Sequence, residues 1–282
     1  MTINSHKLFQ FFKYVVYALL AFNVFVFWRE EFLAAVLQFP DGVEMSHIIA
    51  SFPATIDTAA WLILLLMFEL ETYVLEDHHY SPRVTWSLQG VRVLCYGFIV
   101  YAFYGYLAKL GFIYDTAPLA NVSNLCALVT EGWSYAVDLD EYVELTAANC
   151  STLSEASAFF HFDAMPAVVD RSGLIDIRLL AWVDVINAGV WLLVVLVLEI
   201  DVRLQEKNRY EGLALRLSYA AKYVLYSLLL LAAIYWGFKG DFVDFWDAFL
   251  WLVAFVFIEL NVFEWRQEIK DEQQKTAVSP IS

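Results

Sequence analysis

Carboxylates recur at fixed spacing inside apolar stretches of this chain. In three segments a Trp follows a first polar residue by four positions, a Glu follows it by twelve, and a second polar residue follows it by fourteen. The segments are Asp57, Trp61, Glu69 and Glu71; Asn187, Trp191, Glu199 and Asp201; and Asp247, Trp251, Glu259 and Asn261. Ionisable residues in apolar helices are costly and often belong to ion or proton pathways.

Matching bases occur in three other apolar stretches, each four residues before a Tyr. The pairs are Lys13 with Tyr17, Arg92 with Tyr96, and Lys222 with Tyr226. The start of one helix and the end of the next lie at the same depth in an antiparallel hairpin. The spacing therefore predicts that Lys13 meets Glu69, Arg92 meets Glu199 and Lys222 meets Glu259, within a hairpin or across to a neighbouring one.

Two interpretations of these charges remain open at this stage. Glu69, Glu199 and Glu259 could converge on an axis as a cation site or a proton-accepting ring. They could instead form ion pairs that only fix the register of the hairpins.

The first polar residues of the three segments have two similar readings. Asp57, Asn187 and Asp247 could form an outer ring of the same pathway, or they could cap helix N-termini. The Trp that follows each of them by four residues is typical of anchoring at the membrane interface.

Familiar catalytic motifs are absent from the sequence. It has no phosphate-binding glycine loop, no Cys-x-x-Cys, no His-Glu-x-x-His and no Gly-x-Ser-x-Gly, so we expect no cofactor. Metal binding is an open question, because residues 76–79 (Glu-Asp-His-His) and His161 with Asp163 carry ligand-type side chains. Cys126 and Cys150 are expected to form a disulfide, since both lie in a segment predicted to face an oxidising compartment.

The elements that must position these residues are membrane helices. The chain has 282 residues, of which 61% are hydrophobic and only 17% are charged, which excludes a disordered or ordinary soluble protein. A net charge of −15 argues against nucleic acid as a partner. Apolar stretches long enough to cross a bilayer predict six spans, near residues 8–29, 55–75, 88–110, 178–200, 217–238 and 244–264.

The distribution of Lys and Arg predicts the orientation of these spans. Twelve bases fall on the side of the N-terminus and five on the other, which places both termini in the cytoplasm. Residues 111–177 then form an exocytoplasmic insertion, periplasmic if the chain is bacterial. Ten acidic residues against Arg171 alone give this insertion a net charge of −9, and its apolar residues are expected to pack short helices.

The predicted fold is an all-α polytopic membrane protein made of three repeated helical hairpins with pseudo-threefold symmetry. Residues 1–80 form the first hairpin, and residues 81–110 and 178–210 form the second on either side of the acidic cap at 111–177. Residues 211–265 form the third hairpin, and residues 266–282 form a cytoplasmic tail.

The function predicted from these features is that of an integral membrane channel or transporter for a cation. The alternative is a non-catalytic membrane subunit that assembles with itself or with another membrane complex through its helices and acidic cap. A membrane-embedded enzyme acting on a lipid or quinone has no specific support. The expected partners are the lipid bilayer, a cation, and a second copy of the chain or another membrane protein.

Overall fold

A computed structural model describes residues 5–39, 42–45, 47–71, 82–120, 122, 124–156, 158–163, 165–206 and 212–257. The chain is mostly helical, and four of the described helices are long and apolar enough to cross a membrane. These candidate spans are Leu8–Gln38, Pro82–Tyr114, Arg171–Asp201 and Gly212–Lys239.

Seven α-helices can be followed in the described residues. They are α1 (Ser5–Gln38), α2 (Ile48–Ser51), α3 (Pro53–Glu69), α4 (Pro82–Tyr114), α5 (Arg171–Glu206), α6 (Gly212–Lys239) and α7 (242–257). The predicted spans at 55–75 and 244–264 fall on α3 and α7. The last residues of each predicted span lie outside the described part of the chain. Six spans therefore remain a prediction.

Three helices meet at the centre of the bundle. Trp61 of α3 packs against Trp191 of α5 and Trp251 of α7. Each remaining long helix bridges two of these inner helices: α1 contacts α3 and α7, α4 contacts α3 and α5, and α6 contacts α5 and α7. The bundle consequently closes on itself around α3, α5 and α7.

Local sequence explains how α3 enters the bundle. Pro53 occupies the first turn of the helix, where its missing N–H costs no hydrogen bond. The carboxylate of Glu31 on α1 accepts hydrogen bonds from the backbone N–H of Ala54 (2.8 Å) and Thr55 (3.0 Å). A charge on a neighbouring helix therefore satisfies the free N–H groups of α3 and fixes where α3 begins.

A glycine allows α2 and α4 to approach closely. A Cβ added to Gly105 on α4 would lie 2.4 Å from the backbone oxygen of Ile49 on α2. A backbone oxygen cannot move aside as a side-chain end can, so only glycine fits at this crossing.

The cap is a small mixed β-sheet attached to one end of the bundle. Strands β1 (Thr116–Pro118), β2 (Ser134–Ala136), β3 (Tyr142–Glu144), β4 (Phe159–Phe162) and β5 (Ala167–Asp170) pair in the order β1-β4-β5-β2-β3. The β2–β5 pair is parallel and the other pairs are antiparallel. The expectation of an all-α chain is therefore wrong for the cap, where strands replace the expected short α-helices.

The predicted disulfide is confirmed, since Cys126 and Cys150 are joined within the cap. It links the start of a 3₁₀ helix at Leu125–Glu131 to the turn before a second one at Thr152–Ser154. The cap continues directly into the bundle, since β5 ends at Asp170 and α5 begins at the next residue. The Asp170 side chain caps α5 by accepting a hydrogen bond from the backbone N–H of Gly173 (2.6 Å) in its first turn.

Most of the apolar surface of the long helices faces outward. Only 28% to 33% of the residues in their most apolar windows are buried. On α1 the outward-facing residues include Phe11, Phe22, Phe25, Trp28 and Phe32, each at least 45% exposed. Such a surface is far larger than a soluble monomer exposes, and it suits an integral membrane location.

Candidate functional site

The most distinctive site is a cavity between the cap and the end of the helical bundle nearest to it, which we call the acidic cavity. Its volume is about 810 Å³, including the part that is open to solvent. Seven carboxylates and one ammonium group line it, and seven aromatic rings complete its wall. The charged residues are Glu30, Glu31, Asp57, Lys109, Asp140, Asp184, Asp244 and Asp247, and the aromatic residues are Phe27, Trp61, Tyr106, Trp191, Trp236, Trp251 and Phe255.

The first polar residues of the three sequence segments all line this cavity. Asp57, Asn187 and Asp247 come from α3, α5 and α7 respectively. The reading of these residues as helix caps is wrong. Asn187 lies sixteen residues into α5, and the N-terminus of α3 is capped by Glu31.

At the start of α7, too, one acid caps the helix and a different acid lines the cavity. The Asp241 side chain accepts a hydrogen bond from the backbone N–H of Asp244 at 3.3 Å. Asp247, six residues after Asp241, lines the cavity instead. Its side chain accepts a hydrogen bond from Asn23 Nδ2 at 2.8 Å.

Five of the seven cavity carboxylates are not among the residues predicted from the sequence, namely Glu30, Glu31, Asp140, Asp184 and Asp244. Asp184 and Asp244 precede Asn187 and Asp247 by three residues, so they lie about one helical turn closer to the cap on the same face. The same offset in α3 gives Ala54, which also lines the cavity. The repeat spacing, extended by one turn toward the cap, identifies Asp184 and Asp244, whereas Glu30, Glu31 and Asp140 lie on other elements and carry no such signal.

The mouth of the cavity combines a bundle residue with a cap residue. Lys109 of α4 forms an ion pair with Asp140 of the loop between β2 and β3. The Lys109 side chain is 12% exposed and that of Asp140 is 34% exposed. This pair ties the cap to the rim, and within the described residues no ion pair forms to Asp57, Asp184, Asp244 or Asp247.

The floor of the cavity is a layer of tryptophans. Ring centroids of Trp61 and Trp191 are 5.9 Å apart, and those of Trp61 and Trp251 are 6.3 Å apart. Phe255 packs against Trp191 at 4.6 Å. All three Trp residues are less than 10% exposed, so their expected role as anchors at the membrane interface is wrong.

One polar atom of the cavity wall, Oδ1 of Asn187, is buried without a hydrogen-bond partner among the described residues. Buried polar groups in native proteins nearly always have a partner, so this acceptor indicates room for a donor such as water. The indole N–H of Trp236, a residue that is 3% exposed, is directed to the Asp184 carboxylate.

The predicted bases, and the predicted acids on α3 and α5, lie beyond the tryptophan layer, at the end of the bundle opposite the cap. Lys13 Nζ is 2.5 Å from Glu69 Oε1, which is the partner that the spacing predicts. The hydroxyls of Tyr14 and Tyr17 also donate to this carboxylate, at 3.1 Å and 3.4 Å. Lys13 is 0% exposed and Glu69 is 6% exposed, so this is a fully buried ion pair.

The other two bases pair with the acids at position fourteen of the segments. Arg92 Nη2 lies 2.6 Å from Glu71 Oε2 instead of meeting Glu199. Lys222 Nζ lies 2.9 Å from Asp201 Oδ2, which also accepts a hydrogen bond from Ser218 Oγ at 2.6 Å. Each of these pairs joins a helix to the one that follows it in the chain.

Glu199 lies apart from Glu69. Its side chain is 49% exposed and pairs with Arg203 one turn further along α5. Glu259 and Asn261 lie outside the described residues. Of the remaining predicted tyrosines, Tyr226 packs against the tryptophan-centred core and Tyr96 is 39% exposed.

The candidate metal ligands give no metal site in the part of the chain that the structure describes, where no three His, Cys, Asp or Glu side chains are grouped suitably. His161 Nδ1 is 3.5 Å from Asp163 Oδ1, and its ring packs against Trp133. Residues 76–79 lie outside the described residues.

Acid crowding extends from the cavity mouth into the cap. Burial raises the pKa of Asp138, and the carboxylates of Asp241 and Asp140 raise it further, while a hydrogen bond from the Leu139 backbone opposes this shift. Burial likewise raises the pKa of Asp241, at the junction of α6 and α7. The region around the mouth therefore favours bound protons or cations over additional negative charge.

Comparison of the chain with protein-family models, with curated proteins and with solved structures gives no match.

Proposed function

We propose that the chain is an integral membrane channel or transporter for a cation and that the acidic cavity is where the cation enters. The observation that carries this proposal is the excess of seven carboxylates over the single ammonium of Lys109 around one cavity. Uncompensated carboxylates inside a membrane protein cost several kcal/mol each, on the order of what a bound cation, bound protons or water can offset.

The membrane frame of this proposal has six spans, with both termini in the cytoplasm and the cap outside. The bias of Lys and Arg supports this orientation. The four apolar helices and their outward-facing aromatic residues support the membrane location.

The proposed architecture is three related hairpins arranged around the acidic cavity. Its support is that residues at matching positions of the three segments surround the same space, as Trp61, Trp191 and Trp251 do. The outer helices agree: Phe27, Tyr106 and Trp236 each follow the base of their helix by fourteen residues, and all three line the cavity.

The pathway proposed here is closed below the cavity. The tryptophan layer separates Asp57 and Asp247 from the ion pairs at the opposite end of the bundle. Glu69 is already neutralised by Lys13, so we assign the ion pairs at that end to fixing the helices and the cavity acids to the cation. Conduction would require the three Trp side chains to separate, as a gate does.

Cation flux in proteoliposomes tests this proposal. The wild-type chain should take up monovalent cations, whereas Asp57→Asn with Asp247→Asn should abolish uptake, because two of the carboxylates nearest the floor lose their charge. Glu199→Gln is the matched control, since it removes an acid of the same chain that is half exposed and paired with Arg203.

Loss of flux in the control as well would contradict the assignment of the site. A wild-type protein that is inactive toward every cation would contradict transport altogether and would favour the alternative of a membrane subunit that assembles with another copy or another protein.

A further inference from the structure

We propose that Arg178 binds the phosphate of a zwitterionic phospholipid in the leaflet on the side of the cap. Arg178 lies near the start of α5 and does not line the acidic cavity, so this site is separate from the proposed cation site. Its basis is a half-buried guanidinium that has no carboxylate partner and that is held beside exposed aromatic rings at the height of lipid phosphates.

Contacts from α4 and β1 hold the Arg178 guanidinium in place. Its Cζ lies 4.6 Å from the centre of the Tyr114 ring, and its Nη2 donates a hydrogen bond to Thr116 Oγ1 at 2.9 Å. Trp182, one turn further along α5, donates from Nε1 to the Tyr114 hydroxyl at 3.0 Å. Since the planar guanidinium is stacked on a ring and hydrogen-bonded at one edge, it is fixed in one orientation.

The charge of Arg178 is not paired within the described residues. No ion pair there includes Arg178, although the adjoining cap carries a net charge of −9. Its Nε is buried without a hydrogen-bond partner. Its Nη1 makes no hydrogen bond to a described residue either and is not among the buried atoms, so this edge of the guanidinium is accessible from outside. An anionic oxygen is the acceptor that suits such an edge, and arginine matches phosphate particularly well.

The height of Arg178 along the bundle agrees with that of a lipid phosphate. The exposed ion pair of Glu199 with Arg203 marks the opposite end of α5. Arg178 precedes Glu199 by 21 positions, which corresponds to about 32 Å of helix. On α4, Tyr114 follows Arg92 by 22 positions, or about 33 Å. Both lengths are close to the hydrocarbon thickness of about 30 Å, so Arg178 and Tyr114 lie where acyl chains give way to headgroups.

The surroundings of Arg178 are apolar on one side and acidic on the other. Trp182 and Ile186, further along the same face of α5, are 44% and 50% exposed and suit contact with acyl chains. On the cap side, Asp115 and Asp163 are exposed and their backbones are hydrogen-bonded to each other. These carboxylates repel an anionic headgroup and attract an ammonium group, which favours a zwitterionic phospholipid.

Native mass spectrometry of the detergent-solubilised full chain, titrated with lipid, provides the test. The probes are phosphatidylethanolamine, phosphatidylglycerol, an uncharged glycolipid with the same acyl chains, and inorganic phosphate. We expect phosphatidylethanolamine to bind most tightly. Arg178→Met should weaken its binding about tenfold, the typical effect of one hydrogen bond between charged groups.

Two further variants make the test specific. Arg171→Met is the matched control, because it removes another base of α5, which lies over the Phe160 ring of the cap at 5.9 Å, and it should bind the lipid as the wild type does. Arg178→Lys keeps the charge and loses the planar stack. It should bind the lipid less tightly than the wild type and supplies a second reading if Arg178→Met does not fold.

Unchanged binding of phosphatidylethanolamine by the Arg178 variants would overturn the inference, as would an equal loss in Arg171→Met. Glycolipid bound as tightly as phosphatidylethanolamine would overturn it, because the contact would then be to acyl chains alone. Tighter binding of phosphatidylglycerol would overturn the zwitterionic headgroup, and inorganic phosphate bound as tightly as the lipid would overturn the lipid as the source of the phosphate.

Discussion

Removal of Lys13 from its buried ion pair should destabilise the bundle severely. The substitution Lys13→Met keeps the length of the side chain and leaves the Glu69 carboxylate 6% exposed, with only the hydroxyls of Tyr14 and Tyr17 as described donors. Breaking a buried pair by removing one partner costs about 3 to 5 kcal/mol, mainly because an uncompensated charge stays buried.

The matched control is an ion pair of the same chain in water. Arg203→Met removes the partner of Glu199, whose side chains are 70% and 49% exposed. Exposed pairs of this kind contribute about 0.2 to 1 kcal/mol. The difference in burial alone thus predicts that Lys13→Met costs several times more than Arg203→Met.

Thermal unfolding in detergent, followed by the amount of protein that stays monodisperse on heating, measures this difference. With about 2 to 4 °C per kcal/mol for large chains, Lys13→Met should lower the midpoint by roughly 6 to 20 °C and Arg203→Met by a few degrees at most. The double substitution Lys13→Met with Glu69→Gln should recover much of the loss, since the Glu69 side chain then carries no charge.

Equal midpoints for Lys13→Met and Arg203→Met would contradict the assigned cost of burying the Glu69 charge. A double variant no more stable than Lys13→Met would also contradict it, since the loss would then come from packing and not from the uncompensated carboxylate.

Three further predictions concern the crossing of α2 and α4, the cap and its disulfide. Gly105→Ala should cost roughly 1 to 3 kcal/mol of stability and lower the thermal midpoint, because its Cβ would lie 2.4 Å from a backbone oxygen. Gly97→Ala is the control, since its Cβ would meet nothing within 4 Å, and it should be neutral or stabilising. Equal losses in the two variants would contradict the close approach of α2 and α4. The raised pKa of Asp138 means that the folded state holds this proton more tightly than the unfolded state, so stability should fall as pH rises from about 4 through the raised pKa. The thermal midpoint of Asp138→Asn should fall less over the same pH range. An unchanged dependence of the midpoint on pH would contradict the assignment of this loss to Asp138. Reduction of Cys126–Cys150, which closes a loop with a sequence separation of 24, should destabilise the cap by about 3 to 4 kcal/mol, detected as faster proteolysis of the cap; an unchanged cleavage rate would show that the sheet holds the cap without it.

The long helices could be predicted from the sequence because their apolar runs are long and unbroken. The sheet of the cap could not, since its strands have only three or four residues and one pairing is parallel between β2 and β5. Alternation of apolar and polar residues cannot be recognised over three residues. The pairing of β2 with β5, which are more than thirty residues apart in the chain, leaves no local pattern in the sequence.

Only part of the candidate site was predictable from the sequence. The spacing identified Asp57, Asn187 and Asp247, which line one cavity. The role of the tryptophans was mistaken, because a Trp near the end of an apolar run has the same sequence signature whether it faces lipid headgroups or the centre of a bundle.

The pairing of the bases was predictable only in part. Lys13 meets Glu69 as expected, whereas Arg92 meets Glu71. Residues at positions twelve and fourteen differ by about 200° around a helix, so which of them faces a given base depends on the rotation of the helix in the bundle. That rotation is set by packing around the central tryptophans and not by the spacing itself.

The central claim, that the acidic cavity receives a cation, is tested most directly by an experimental structure of the full chain soaked with thallium(I), whose anomalous scattering locates it. An anomalous peak is expected above the tryptophan layer beside Asp57 and Asp247, and it should disappear when both residues are replaced by Asn. Thallium bound only on the surface of the cap, with the cavity unoccupied, would contradict the claim.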